Sequence, residues 1–368
     1  MLEKIGQLLI IGIEGKDLTE KEADFIVRND IGGVILFSRN IESPQQVFEL
    51  NQKIQKLSKK THSHAPFFIG IDQEGGRVAR LKEGFTQWPP LSKLGEIGST
   101  SLGFKYAHSM GEELMSVGIN LDFAPCVDVL TNPKNPVIGD RSIHSDPEEV
   151  AKIASSLVRG YIKSGVIPCA KHFPGHGNTS VDSHEELPKE STDYKTLQDR
   201  ELVPFKKVFR SRLDMVMTSH ILFENIDKDW PVTLSQKFVQ DILRQEYRFR
   251  GLIISDDLDM KALANHYDDK EIPVRAFQAG VDLLLYCNDF SKPQMALDAM
   301  AKALKDDVIT AQRVDDSYQR VLDLKKKTLS SEPLPDWNEE AFQQMVAHHQ
   351  KLADAVKSGS VPADLIQS

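Results

Sequence analysis

The side chains best equipped for chemistry lie in one connection, residues 171–188. It holds Lys171, His172, His176, Asp182 and His184, with Pro174, Gly175 and Gly177 between them. Glycine and proline disfavour a helix here, so the stretch reads as a strand end running into a long loop. In extended chain, residues two apart face the same way, so Asp182 can hold the His184 imidazole in one tautomer. Such a pair serves as acid and as base near neutral pH. The plainer alternatives are a loop-stabilising hydrogen bond and, for the whole stretch, a polar surface loop rich in histidine. Further along, Ser255-Asp256-Asp257 closes an apolar run. A carboxylate at a strand end can attack a carbon that develops positive charge while a second group protonates the leaving oxygen. That is the division of labour in glycoside hydrolysis. Asp256 and Asp257 are equal candidates at this point. Asp72, Arg80, Arg141 and Lys171 offer charged groups that hydrogen-bond a polyhydroxylated ligand. A salt bridge between Lys171 and Asp72, a simple turn at 139–142 and surface charge at Arg80 compete with that reading.

Eight short apolar runs must position these residues: 7–13, 32–37, 67–72, 121–125, 167–170, 215–220, 252–257 and 282–287. Helical patterns separate them, at 19–30, 43–59, 102–117, 147–164, 197–212, 235–247 and 271–279, and segments 293–304 and 311–326 close the series. Thr19 with Glu22 forms a capping box, Ser43 precedes Pro44 at a first helical position, and Pro147 opens another helix. Buried runs each followed by a helix predict a parallel sheet covered on both faces, and eight of them a closed (β/α)8 TIM-type barrel over residues 1–329. An open doubly wound sheet is the competing topology, but the first βα turn has no Gly-x-Gly-x-x-Gly fingerprint. In a barrel, Asp72, Asp128, Lys171, His172, His220, Asp256, Asp257 and Asn288 converge on one rim. A single acidic residue after a strand is often a helix cap; ionisable groups at so many strand ends are not explained that way. Residues 330–335 read as a linker, 341–357 as a helix with His348 and His349 on its surface, and the last ten as a disordered tail.

The net charge of −9 disfavours nucleic acid or an anionic membrane as partner. The run Lys325-Lys326-Lys327 reads as a solvated helix end that complements the helix dipole. Cys126, Cys169 and Cys287 have the spacing of neither a disulfide framework nor a zinc site, which predicts buried reduced thiols. No secretory signal or spanning run is recognisable, so a cytoplasmic location is expected. His172, His176, Asp182, His184 and Asp256 are metal-ligand types, which keeps a metal-dependent barrel hydrolase as an alternative. There is, however, no His-x-His on a strand and no His-Glu-x-x-His helix. A non-catalytic sugar-binding barrel is a third reading. It would not need both Asp256 and the Asp182–His184 pair.

Five motifs occur in order: Ile71-Asp72-Gln73-Glu74-Gly75-Gly76-Arg77-Val78, Gly139-Asp140-Arg141-Ser142, Lys171-His172-Phe173-Pro174-Gly175-His176-Gly177, Asp182-Ser183-His184 and Ser255-Asp256-Asp257. Together they resemble the glycoside hydrolase family 3 β-N-acetylglucosaminidases of bacterial peptidoglycan recycling, over residues 1–329. The resemblance implies a (β/α)8 barrel, retention of anomeric configuration and no metal or organic cofactor. It implies Asp256 as nucleophile and His184 as general acid/base, oriented by Asp182 on a mobile loop. It implies sugar binding by Asp72, Arg80, Arg141, Lys171 and His172. The implied substrate is a terminal β-linked N-acetylglucosamine on an anhydro-muropeptide, handled by a monomer or weak oligomer. An imidazole repels an incoming anion less than a carboxylate would, so phosphorolysis at the same site is a side expectation. Two departures stand out. Only about forty residues follow the barrel, where many members carry a second α/β domain. Ile143 stands where the family often has phenylalanine.

Overall fold

The computed structural model describes residues 2–288, 290–330, 332 and 335–367. Eight parallel strands close into a barrel: β1 (Leu9–Gly12), β2 (Gly33–Leu36), β3 (Phe68–Ile71), β4 (Leu121–Asp122), β5 (Ile167–Phe173), β6 (Met215–Thr218), β7 (Leu252–Asp257) and β8 (Leu283–Tyr286). Each pairs with its sequence neighbours, and β1 closes on β8 through Ile10↔Leu285. The strands have no apolar–polar alternation because helices cover the outside and side chains fill the inside. β2, β3, β6 and β8 are buried at every position.

The expected helices form with the expected caps. Thr19 and Glu22 make the capping box of Glu20–Arg28, Ser43 caps Pro44–Leu57, and Pro147 opens Pro147–Ser164 behind Asp146. The single helix expected at 197–212 is two, Tyr194–Asp199 and Leu202–Phe209. Pro204 has no N–H and is tolerated only in a first turn, so the chain must restart just ahead of it. Helices Leu2–Gly6 and Leu91–Ile97, and a two-stranded pair of Lys189–Glu190 with Leu222–Phe223, lack a clear sequence signal.

Two register irregularities fall where chemistry is expected. Between Ala170↔Val216 and Phe173↔Thr218, β5 carries one residue more than β6, at Lys171–His172. Between Leu283↔Ile254 and Leu285↔Asp257, β7 carries one more than β8, at Ser255–Asp256. An extra residue bends a strand and re-aims its side chains.

The tail departs from expectation. Glu339–Ser358 is a helix, and Ala363–Gln367, expected to be disordered, is a short one with Leu365 and Ile366 packed on the core. In the expected linker, Ser331, Pro333 and Leu334 lie outside the described residues. His348 is exposed, but His349 is buried, with Nδ1 2.8 Å from Glu113 Oε1. Glu113 also accepts from the Thr86 N–H at 3.1 Å, and Gln350 accepts from the Gln87 N–H at 2.9 Å. The tail helix thereby holds the 85–90 loop, whose Trp88 carbonyl accepts from the Gly76 N–H in the turn after β3.

Lys325 corrects a second expectation. It is buried under the barrel, donating to Gln7 Oε1 at 2.8 Å and to the Gly32 carbonyl at 2.7 Å, with its ammonium 4.9 Å from the centre of the Phe68 ring. The three cysteines are free and buried, as expected. Among the described residues no helix is long and apolar enough to cross a membrane.

Candidate active site

The site builds up from β3. Alternation along the extended chain points Asp72 and Glu74 the same way. Lys171, at the irregular end of β5, reaches both: its Nζ is 2.6 Å from Asp72 Oδ1 and 2.8 Å from Glu74 Oε1. Arg141 grips Glu74 bidentately, Nε to Oε2 at 2.8 Å and Nη2 to Oε1 at 2.7 Å. Fork-to-fork pairing of this kind is strong and fixes geometry. Burial alone would raise the Glu74 carboxyl pKa, but Arg141 and Lys171 hold it far below the carboxylate range. Burial likewise works against the charged Lys171, and Asp72 and Glu74 outweigh it. The salt bridge weighed for Lys171 and Asp72 is the arrangement found. Arg80 is looser, 3.5 Å from Asp72 Oδ2 and against the Phe37 ring.

Glu74 lies in the first of the five motifs, but its role is not visible from residue type alone. Its signal was its i+2 relation to Asp72. Glu74→Gln leaves two buried cations short of a countercharge, which typically costs about 3–5 kcal/mol. Urea unfolding measures this, and an unchanged midpoint with unchanged slope would contradict the network's importance.

A second cluster forms around Asp128, on the connection after β4. It is fully buried and accepts from His172 Nδ1 at 2.7 Å, the His172 N–H at 3.2 Å and the His176 N–H at 2.7 Å. Burial opposes its charge, but His172 and His176 hold its pKa down at about 2. His172 Nε2 then faces Arg141 Nη2 at 3.4 Å, joining the two clusters. Cys126, Asp128 and His172 offer metal-ligand atoms within 4.8 Å of one another. Burial and the Asp128 charge keep the Cys126 thiol protonated, and it donates to Asp128 at 3.2 Å. The trio is thus satisfied internally as a hydrogen-bonded unit.

The loop after β5 is pinned at its root and its far end. Gly175 has φ 140°, which favours glycine, and a Cβ on Gly177 would lie 1.7 Å from the Val129 carbonyl oxygen. His176 is buried, with Nδ1 2.8 Å from Thr179 Oγ1 and Nε2 3.2 Å from Ser183 Oγ. Burial, then the neighbouring His172, pushes its pKa down to about 4 despite Asp128. Unfolded histidine titrates near 6.5. Between pH 4 and 6.5 the unfolded chain therefore binds the extra proton, and stability rises with pH across that window by up to about 1.4 kcal/mol per unit. His176→Gln should flatten the slope by about one proton in urea unfolding across that range. Parallel curves for both proteins would refute the assignment.

Beyond His176 the loop reaches the connection after β7, at the short helix Lys261–Ala264. The Ser183 carbonyl accepts from the Ala262 N–H at 3.3 Å, and Glu186 pairs with His266. The neighbouring His184 is exposed at 66 % of its side chain, and its Nδ1 lies 2.8 Å from Asp182 Oδ1. Asp182 therefore fixes the proton on Nδ1, as the two-residue spacing predicts, and Nε2 has no partner among the described residues. Burial raises the Asp182 pKa, but the N–H and ring of His184 lower it further.

Asp256 and Asp257, equivalent in sequence, are separated by their surroundings. Asp257 accepts from the N–H groups of Asp259 and Cys287 and from Asn288 Nδ2, so it ties the end of β7 to the end of β8. Burial, with Asp259 next, pushes its pKa up to about 7. For Asp256, burial is outweighed by the positive potential of His172 and His220 and by the Asp257 N–H, with a smaller contribution from His184. Its pKa is lowered. His220 is held between Thr233 Oγ1 at 2.8 Å and the Asp257 carbonyl at 2.9 Å.

An ionised carboxylate and a separately held imidazole on one rim are the parts of a barrel enzyme that cleaves glycosidic bonds. The chain belongs to glycosyl hydrolase family 3: the N-terminal domain of that family matches residues 1–324. Within it the chain groups with the β-hexosaminidases. It is 38 % identical over 287 residues to the β-hexosaminidase of Nitrosomonas eutropha, covering 76 % of this chain and 80 % of that one. The structure of a family 3 β-N-acetylglucosaminidase from Paenibacillus sp. FPU-7 superposes with a TM-score of 0.90 at 35 % identity, over 98 % of this chain and 68 % of that one. NagZ from Neisseria gonorrhoeae, solved in complex with N-trifluoroacetyl-D-glucosamine, gives a TM-score of 0.76 at 31 % identity, over 93 % and 98 %.

Proposed function

We propose that this protein is a retaining exo-β-N-acetylglucosaminidase that removes terminal β-linked N-acetylglucosamine from peptidoglycan-derived anhydro-muropeptides. The observation that carries the reading is the pairing of an ionised Asp256 with a His184 whose Nε2 is free among the described residues and whose Nδ1 is held by Asp182. Asp256 attacks the anomeric carbon while protonated His184 gives its Nε2 proton to the leaving oxygen. Neutral His184 then takes a proton from water, which hydrolyses the glycosyl-enzyme with net retention. Asp72, Arg80, Arg141, Lys171 and His172 bind the sugar. The buried ion pairs among them hold Asp72 in place, and the half-exposed Asp72 and Arg80 make the outermost contacts. The bound N-trifluoroacetyl-D-glucosamine of the Neisseria relative supports an N-acylated glucosamine at this site. The reaction runs in the cytoplasm, within one chain, and needs no metal or organic cofactor.

The test is hydrolysis of an aryl β-N-acetylglucosaminide with and without EDTA, followed by NMR of the first-formed anomer. A β-anomer released at the same rate in chelator supports the reading. Loss in EDTA with recovery on zinc would move the chemistry to a metal. Sugar 1-phosphate formed in phosphate buffer would identify a phosphorylase.

A further inference from the structure

The opposite face of the barrel carries a second concentration of charge. Beneath β7 and β8, a cavity of about 400 Å³ is lined by Arg244, Arg248, Arg250, Arg313 and Arg320. In a chain of net charge −9 this gathering is not a compositional accident. Part of it is structural. Asp282, fully buried at the foot of β8, receives Arg244, Arg313 at 3.3 Å, Arg320 at 3.1 Å and the Ser317 hydroxyl at 2.6 Å. Arg244 also donates to the carbonyls of Phe249 and Gly251, at 2.9 and 2.6 Å.

Stapling Asp282 does not account for Arg248 and Arg250. Both are exposed at the cavity and make no hydrogen bond or ion pair among the described residues. Five arginines line the cavity with one acidic residue, Asp316, while Asp282, buried outside the lining, is already saturated. The Nε of Arg313 is buried and has no hydrogen-bond partner among the described residues. The imbalance is felt at Arg244: burial, and the charges of Arg320, Arg313 and Arg250, pull its pKa down to about 10 against the opposing pull of Asp282. Like charges held this closely repel, and a bound anion removes the repulsion. Planar guanidinium forks converging on a concavity suit tetrahedral oxyanions. The charge excess and the volume exceed what a single chloride or carboxylate uses. The acidic remainder of the molecule disfavours an extended nucleic acid, whose phosphates would overrun the cavity.

We propose that this cavity binds a compact polyvalent oxyanion of the diphosphate class, a second ligand site on the face of the barrel away from the proposed catalytic rim. Because the anion would join the feet of β7 and β8, its binding stabilises the native chain by mass action.

Isothermal titration of the full chain with inorganic pyrophosphate, at low ionic strength, tests this. The expected result is one site per chain, an affinity that falls with added salt, and binding weakened at least about tenfold in R248A/R250A. Both residues are exposed and unpaired among the described residues, so the double variant keeps its fold and its aryl-glycoside turnover. Binding heat or thermal stabilisation no greater than that of KCl at matched ionic strength would overturn the proposal. So would equal affinity in the double variant, or an RNA oligonucleotide that displaces pyrophosphate and binds more tightly. Turnover is read separately, so failure here leaves the glycosidase reading untouched.

Discussion

Asp256→Asn lowers turnover of an aryl β-N-acetylglucosaminide by at least about 10⁴-fold, some 5.5 kcal/mol of activation free energy. An amide is isosteric with the carboxylate but cannot form the glycosyl ester, so covalent catalysis is lost while shape is kept. The fold should be unaffected. The Asp257 N–H that donates to Asp256 Oδ1 at 2.8 Å can donate equally to an amide oxygen. The strand end is secured by Asp257 through Cys287 and Asn288, not by Asp256. Unfolding midpoints of wild type and variant should therefore agree within about 1 kcal/mol. The same substitution at Asp257 should reverse the pattern, disturbing stability more than chemistry. Retention of more than one-hundredth of wild-type turnover by a folded, uncontaminated Asp256→Asn protein would remove Asp256 as nucleophile.

His184→Ala produces the second large effect, and its size depends on the substrate. For a glycoside with a poorly acidic leaving group, loss of the proton donor costs about 10²–10⁴-fold. For a dinitrophenyl glycoside, which leaves as a stable anion, the glycosylation step is within about tenfold of wild type. Asp182→Ala should fall between these, because the imidazole survives but loses its fixed tautomer. The exposure of His184 makes the experiment clean: the ring is 66 % exposed and, among the described residues, bonded only to Asp182, so truncation leaves no buried group unpaired. Equal losses on both substrates would exclude a proton-donor role and point instead to binding or loop placement.

The local elements were legible because their causes are local. Caps such as Thr19 with Glu22 are satisfied within one turn, and runs such as residues 252–257 are apolar throughout because a barrel buries both faces of its strands. The Asp182–His184 contact spans two residues and was readable from spacing alone. What only the tertiary structure decided lies in contacts made by barrel closure. The Glu74–Arg141 pair joins residues 67 apart, and Lys325 meets Gln7 across 318. Sequence shows Lys325 as one of three adjacent lysines. Only the closed barrel gives it two acceptors and an aromatic ring at the barrel floor. His349 likewise becomes a buried partner of Glu113 because the tail helix docks on Thr100–Ser116. Asp256 and Asp257 share a strand end and differ only in what surrounds them. Three histidines, contributed by β5, its loop and the end of β6, keep one carboxylate ionised. Burial beside Asp259 pushes the other toward its neutral form. Residue type and spacing determine which groups this protein can use. Long-range packing determines their charge, because desolvation and neighbouring charges act through space rather than along the chain.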